Sequence, residues 1–195
     1  MVSKSKSTNF GHAFARRSPA QRLIGLLVLL ASASFCVSAA EKAVAPEREY
    51  RLRLYHTHTN ERIDLVYRRG NDYIPEAVTR LDQFLRDHRT GDVIQLDRRV
   101  FDLLHDLTFA LGRPDTEIDI ICGYRTPWSN DYLRRTTPGV AEHSLHMQGE
   151  AIDIRIPGVS TSELRNAALG LGRGGVGYYP ESRFVHVDVG RVRRW

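Results

Sequence analysis

Cysteine is scarce in this chain, with Cys36 and Cys122 the two examples among 195 residues. Cys36 falls in an N-terminal stretch that reads as a removable export signal, so the mature chain is expected to keep one thiol. One thiol makes no internal disulfide, and the fold must rely on its core. Long apolar runs are missing too. The run from Leu23 to Leu30, continued by small residues through Val37, is too short and too rich in Ala and Ser for a comfortable membrane span. Net charge is absent once the first 40 residues are set aside. These hold Lys4, Lys6, Arg16, Arg17 and Arg22 and no acid, which accounts for the whole formal charge of +5 and leaves 28 − 5 = 23 basic against 23 acidic residues. A neutral domain with interspersed signs has no phosphate-tracking face, which argues against a nucleic-acid partner. There are also no internal repeats, low-complexity tracts or signs of a second domain.

The N-terminal segment has the order of a secretory signal. Its basic region ends at Arg22, the apolar run follows, and Ser38-Ala39-Ala40 offers a small-residue cleavage site before Glu41. Residues 1–40 are therefore expected to be a signal peptide, 41–48 a flexible lead-in and 49–195 one domain, with no stable membrane association after cleavage. Arg16-Arg17 hints at twin-arginine export, but the Ser-Pro that follows departs from that pattern, and the route stays open between twin-arginine and Sec. Phe35 stands where a lipoprotein needs a small residue before Cys36.

Two strand-like runs between Glu49 and Arg69 flank the turn Thr57-His58-Thr59-Asn60 and predict a β-hairpin. His56 and His58 lie near that turn, where solvated histidines are the simpler reading than metal ligands. Pro75 opens a helix with Val78, Leu81, Phe84 and Leu85 at helical spacing, running to about His88. A second helix follows the cap residue Asp97, carries Val100, Phe101, Leu104, Leu107 and Leu111 on one side, and closes at Gly112. His105 and Asp106 are expected on its surface. Glu117 to Cys122 reads as a strand, with Cys122 as a buried small residue. Residues 128–142 read as a long polar loop, Glu150 to Ile156 as a strand, and Ser160 with Glu163 as a capping box opening a short helix. Strands Gly175–Tyr179 and Phe184–Val189 close the chain. The order predicts a single-domain α+β fold around a mainly antiparallel sheet.

The chemistry concentrates in His143-Ser-Leu-His-Met-Gln-Gly-Glu-Ala-Ile-Asp153 and in Phe184-Val-His-Val-Asp188. His146 and Asp153 stand seven residues apart, about 10.5 Å along a helix or about 23 Å along a strand. The chain must turn between them to bring them together, and Gly149 is the residue suited to turning it. A carboxylate inside the apolar strand around Asp153 needs a partner, either a cation or Arg155 two residues on. His186 and Asp188 share a strand face at period two. A site of His146, Asp153 and His186, with a fourth place left to water, has the pattern of a catalytic zinc centre.

These motifs resemble a known family. Ser144-Leu-His-Met-Gln-Gly-Glu-Ala-Ile-Asp153 matches the Ser-x-His-x-x-Gly-x-Ala-x-Asp signature of the D-alanyl-D-alanine metallopeptidase clan, which includes hedgehog-like folds. Gly123-Tyr-Arg-Thr before it, and Gly-Gly-Val-Gly-Tyr-Tyr-Pro with Phe-Val-His-Val-Asp after it, are similar to the murein endopeptidase K branch. The likeness runs from about Glu49 to the Arg-Val-Arg-Arg-Trp ending. It implies a periplasmic zinc peptidase that cuts cross-links between peptidoglycan stem peptides, between two diaminopimelate residues in this branch. It implies His146, Asp153 and His186 as zinc ligands, with Arg125 holding a substrate carboxylate or stabilising the oxyanion and Ser144 bracing the site. The clan's better-known members have a His or Glu two or three residues before the last ligand, where this chain has Phe184 and Arg183. Asp188 is therefore the expected general base, with the exchange of roles between His186 and Asp188 as the competing assignment. Glu142 and His143 are outside candidates for proton transfer. The alternatives are a carboxypeptidase or dipeptidase of the same clan and a cell-wall binding domain without turnover.

Overall fold

The computed structural model describes residues 47–195. The expected signal peptide, its cleavage site and nearly all of the lead-in lie outside the described residues. Strand β1 (Glu49–His56) alternates as its sequence asks, turning Leu52, Leu54 and His56 inward while Arg51 and Arg53 face out. It pairs antiparallel with β2 (Arg62–Arg69), setting Leu54 opposite Ile63 and Leu52 opposite Leu65. This is the expected hairpin, extended by the two-residue strand β3 (Asp72–Tyr73). Helix α1 (Pro75–Phe84) starts on its proline and buries Ala77, Val78, Leu81 and Phe84. Helix α2 (Arg98–Ala110) is capped by the Asp97 carboxylate, which accepts from the Arg99 amide at 2.9 Å, and Gly112 turns left-handed just past its end.

Then come β4 (Ile118–Cys122), α3 (Pro127–Thr136), a 3-10 turn (Leu145–Gln148), β5 (Ala151–Arg155), α4 (Thr161–Leu171), β6 (Gly175–Tyr179), β7 (Phe184–Asp188) and β8 (Arg193–Arg194). All eight strands form one sheet in the order β3-β2-β1-β4-β5-β7-β6-β8. Its pairings are antiparallel except β1 with β4 and β6 with β8, so the α+β fold with a mainly antiparallel sheet is what the chain adopts. Ile118, Ile120, Ile152, Ile154, Val185, Val187 and Val176 share one core with the apolar residues of α1, α2 and α4. Each large aliphatic side chain buried there contributes roughly 1.5–3 kcal/mol.

Three expectations are corrected. Residues 128–142 do not form a loop throughout, because α3 occupies Pro127–Thr136. Its buried residues are Ser129 and Asn130, so it carries no apolar period to read. Its start was nevertheless written in Thr126-Pro127, where the threonine hydroxyl accepts from Ser129 N at 3.1 Å. His105 is not on a helix surface but 2% exposed, packed against Tyr50 and Phe109. Helix α2 meets both β1 and α4, which widens its buried arc. His56 is not solvated: β1 carries it fully inside, against Phe84.

Candidate metal centre

The site is laid out by strand register. Asp153 on β5 lies directly opposite His186 on β7 and, on its other side, opposite Cys122 at the end of β4. Residues opposite one another across a ladder share a face, so these three side chains form a row across the sheet. Cys122 reaches that row because of an irregularity between Ile120 and Cys122. Ile120 faces Ile154 in the core, and one step along β5 is matched by two along β4. Such a bulge re-aims a side chain to the other face.

His146 arrives from the 3-10 turn. The Ser144 hydroxyl stands at the head of that turn, 3.4 Å from His146 N, and Ser144 O accepts from Met147 N. Gly149 ends the turn with φ +69°, and a Cβ there would stand 3.1 Å from the Leu96 backbone. Both the left-handed conformation and the close approach call for glycine. The turn expected between His146 and Asp153 is therefore present at Gly149.

The result is a tight triangle. His146 Nε2 lies 3.1 Å from His186 Nδ1 and 3.2 Å from Asp153 Oδ1, and His186 Nδ1 lies 2.9 Å from the same oxygen. Each imidazole is held from behind. His146 Nδ1 is 2.8 Å from the Gly123 carbonyl, and His186 Nε2 is 3.2 Å from Asp188 Oδ2. Both outer nitrogens must donate to these acceptors, which turns the inner nitrogen lone pairs toward the triangle. Two lone pairs and a carboxylate oxygen within 3.2 Å of each other could hold a cation. Ligands 2.0–2.1 Å from a tetrahedral zinc are separated by roughly 3.3 Å, close to the distances found. Burial works against charge here, but Asp153 raises the His146 pKa and the histidines hold Asp153 well below the usual carboxylate range. Cys122 Sγ belongs to the same neighbourhood, within 4.8 Å of ligand atoms of His146 and Asp153.

Asp188 is fully buried and its oxygens are taken. Oδ1 accepts from Gly175 N, Gly190 N and Arg193 Nη1, Oδ2 accepts from His186 Nε2, and Arg193 Nη2 forms an ion pair with Oδ2 at 2.8 Å. Burial alone would raise its pKa, but these donors bring it down to about 2. A Cβ on Gly175 would stand 2.3 Å from its carboxylate, so that glycine makes room for the acid. Arg125, 8% exposed, places Nη2 3.4 Å from Cys122 Sγ and 3.7 Å from Asp153 Oδ2. Its Nη1 donates to Asn130 Oδ1, and the Asn130 amide donates to the Ala141 and Glu142 carbonyls. Helix α3 thus steadies the arginine.

These groups open on a cavity of about 410 Å³. Its charged lining is Arg89, Arg125 and Arg193 against the single carboxylate of Asp153. Trp195 forms part of one wall, its ring 5.2 Å from that of His186 and its Nε1 donating to the Tyr179 hydroxyl, while Tyr179 stacks on Phe184. His143 lines the cavity, whereas Glu142 is exposed and paired with Arg134. The sequence reading overlooked Cys122, Arg193 and Trp195 as site residues. The Arg-Val-Arg-Arg-Trp ending was a signal for the last two.

A family model described as peptidoglycan L,D-endopeptidase MepK matches residues 43–195. The chain belongs to the MepK family. A MepK from Escherichia coli, named peptidoglycan L,D-endopeptidase, is 37% identical over 175 residues, covering 90% of this chain and 96% of that protein. A Haemophilus influenzae protein named "Probable peptidoglycan L,D-endopeptidase MepK" is 41% identical over 138 residues, 71% of this chain and 74% of its own length. The MepK match takes in every residue of the triangle, Arg125 and the C-terminal wall.

Proposed function

We propose that this protein is an exported, zinc-dependent peptidoglycan endopeptidase that hydrolyses cross-links between stem peptides, at bonds joining two diaminopimelate residues. The observation that carries this reading is the convergence of His146 Nε2, Asp153 Oδ1 and His186 Nδ1 within 3.2 Å, each histidine oriented by an acceptor on its far nitrogen. Two imidazoles and one carboxylate suit zinc and leave room for water and substrate. When bound, zinc supplies Lewis-acid polarisation of the scissile carbonyl and a water acidified toward neutral pH.

The chain's own residues do the rest. Asp188 orients His186 rather than serving as general base, because its oxygens already accept from four donors and pair with the Arg193 guanidinium, and the residue does not line the cavity. The same contacts disfavour Asp188 as the ligand in place of His186. Of the two outside candidates for proton transfer, His143 takes the role, since it lines the cavity and Glu142 does not. Arg125 stabilises the developing oxyanion or holds a substrate carboxylate, as its donors lie beside Asp153. A cavity with three arginines and one carboxylate suits diaminopimelate, which keeps a free carboxylate beside the cross-link. Localisation in the periplasm follows from that substrate and from the export signal expected in residues 1–40.

Zinc-loaded mature protein incubated with purified cross-linked peptidoglycan tests the proposal. Loss of cross-linked dimers with a gain of monomers is the expected result. Trimmed stem-peptide ends without loss of dimers would make the protein a carboxypeptidase, and retention on the wall without products would make it a binding domain.

A further inference from the structure

Helix α3 buries Ser129 and Asn130, yet it also carries two large aromatic side chains that pack into no core. Trp128 is 62% exposed and Tyr132 49%. One helical turn apart, their rings lie near parallel, with 12° between the planes and 5.8 Å between the centres. Parallel rings at that separation are slid past each other rather than eclipsed, so each keeps open surface toward water. A pair on a helix surface adds little to stability, and folding does not explain it. The charges beside it are already matched, Arg135 with Asp131 and Arg134 with Glu142, so the face offers ring surface rather than net charge. Two such side chains supply roughly 300–500 Å² even when wholly covered, well short of the about 800 Å² per partner in a stable protein interface. That area suits one or two pyranose rings, whose axial C–H groups stack on aromatic faces. The place on the fold says which saccharide. Leu133, next along the helix, lines the cavity of the metal centre, and so do Thr137 to Ala141 after it. Tyr132 stands about 100° around the helix from Leu133, at the rim. A stem peptide reaches at most about 3.3–3.6 Å per residue, so a cross-link seated in the cavity brings its own sugar backbone close to that rim. Resting on the endopeptidase reading, we infer that Trp128 and Tyr132 form a stacking platform for the amino-sugar backbone of peptidoglycan, holding the glycan strand while the cavity takes its peptide.

Two substrates separate the platform from the cavity: soluble cross-linked glycan oligomers released by a muramidase, and the same cross-linked peptides freed of sugar by an amidase. Trp128→Ala combined with Tyr132→Ala is expected to raise KM on the glycan oligomers about tenfold with kcat unchanged. Both constants should stay unchanged on the sugar-free dimers, and Trp128→Phe should recover most of the loss. Equal losses on the two substrates, or no loss on the glycan oligomers, would overturn the platform. Peptide-free glycan strands titrated into mature wild-type protein test it without turnover or variants: the Trp128 indole N–H signal should shift in NMR spectra while that of Trp195 stays in place. No shift at Trp128, or a shift with sugar-free stem peptides instead, would refute the platform and leave the endopeptidase reading standing. Glycan binding with cleavage of neither substrate would do the reverse. A dimer in light scattering that Trp128→Ala dissolves would make this face a contact between copies and would also refute the glycan platform.

Discussion

Two groups of histidines lie around the same cavity, and their surroundings drive them in opposite directions. His146 and His186 converge on Asp153, whose carboxylate raises the His146 pKa against the cost of burial. His56, His58 and His88 stand with ring centres 4.0–6.1 Å apart, and the carboxylates that act on them, Glu61 and Asp87, do not offset their burial. Burial first, then mutual repulsion, pushes His56 and His88 down to about 4, and His58 is lowered as well. The rings of His58 and His88 stack at 4.0 Å with their planes 6° apart. Lone pairs lying in parallel planes cannot meet at one ion. The lesson is that histidines close together do not make a metal site by themselves. A carboxylate that offsets the burial and acceptors behind each ring to aim the lone pairs are what separate the two groups.

The largest effect is expected from removing that carboxylate. Asp153→Ala should lose metal binding and turnover together, as read by metal analysis after gel filtration and by muropeptide analysis. Arg125→Ala should keep its metal and lose about 10²–10³-fold in kcat if the guanidinium serves the oxyanion; a rise in KM alone would make it a substrate-carboxylate holder. Asp188→Asn should weaken metal affinity or activity by about 10–100-fold through His186. Lost turnover with unchanged metal affinity would restore Asp188 as the base.

The second group gives a pH signature. His56 has a folded pKa of about 4 against an ordinary 6.5, so between those values the unfolded chain binds more protons than the native one. Stability therefore falls as pH drops from 6.5 to 4, by about 3 kcal/mol at most from this residue, and no further below 4. Denaturant melts of His56→Phe across that range should show a flatter acid arm. The comparison sharpens if a carboxylate is supplied to the second group: in His58→Asp, the His88 pKa followed by NMR should rise from about 4 toward or above the ordinary value.

Much of this was legible in the sequence because it was local. The hairpin follows from alternation at Leu52, Leu54, Ile63 and Leu65, and α2 from Asp97 and its helical period. His146, Asp153 and His186 stood out because Gly149 could turn the chain between the first two and a Phe-Val-His-Val-Asp strand carried the third, although spacing alone left a pair with Arg155 open for Asp153. What escaped depends on register and tertiary contact. Cys122 shares sequence parity with Ile118 and Ile120, so alternation puts it in the core; only the shift in pairing with β5 turns it to the site. Same-face spacing also says nothing of Gly175, Gly190 and Arg193 folding back onto Asp188. Helix α3 was hidden because its buried residues, Ser129 and Asn130, are polar rather than an apolar stripe, and Asn130 serves Arg125.

Anomalous diffraction at the zinc edge, from crystals of the mature protein grown with zinc, tests the central claim most directly. The account predicts one strong peak within bonding distance of His146 Nε2, Asp153 Oδ1 and His186 Nδ1. Density for zinc elsewhere, with those three atoms still bonded only to one another, would contradict it.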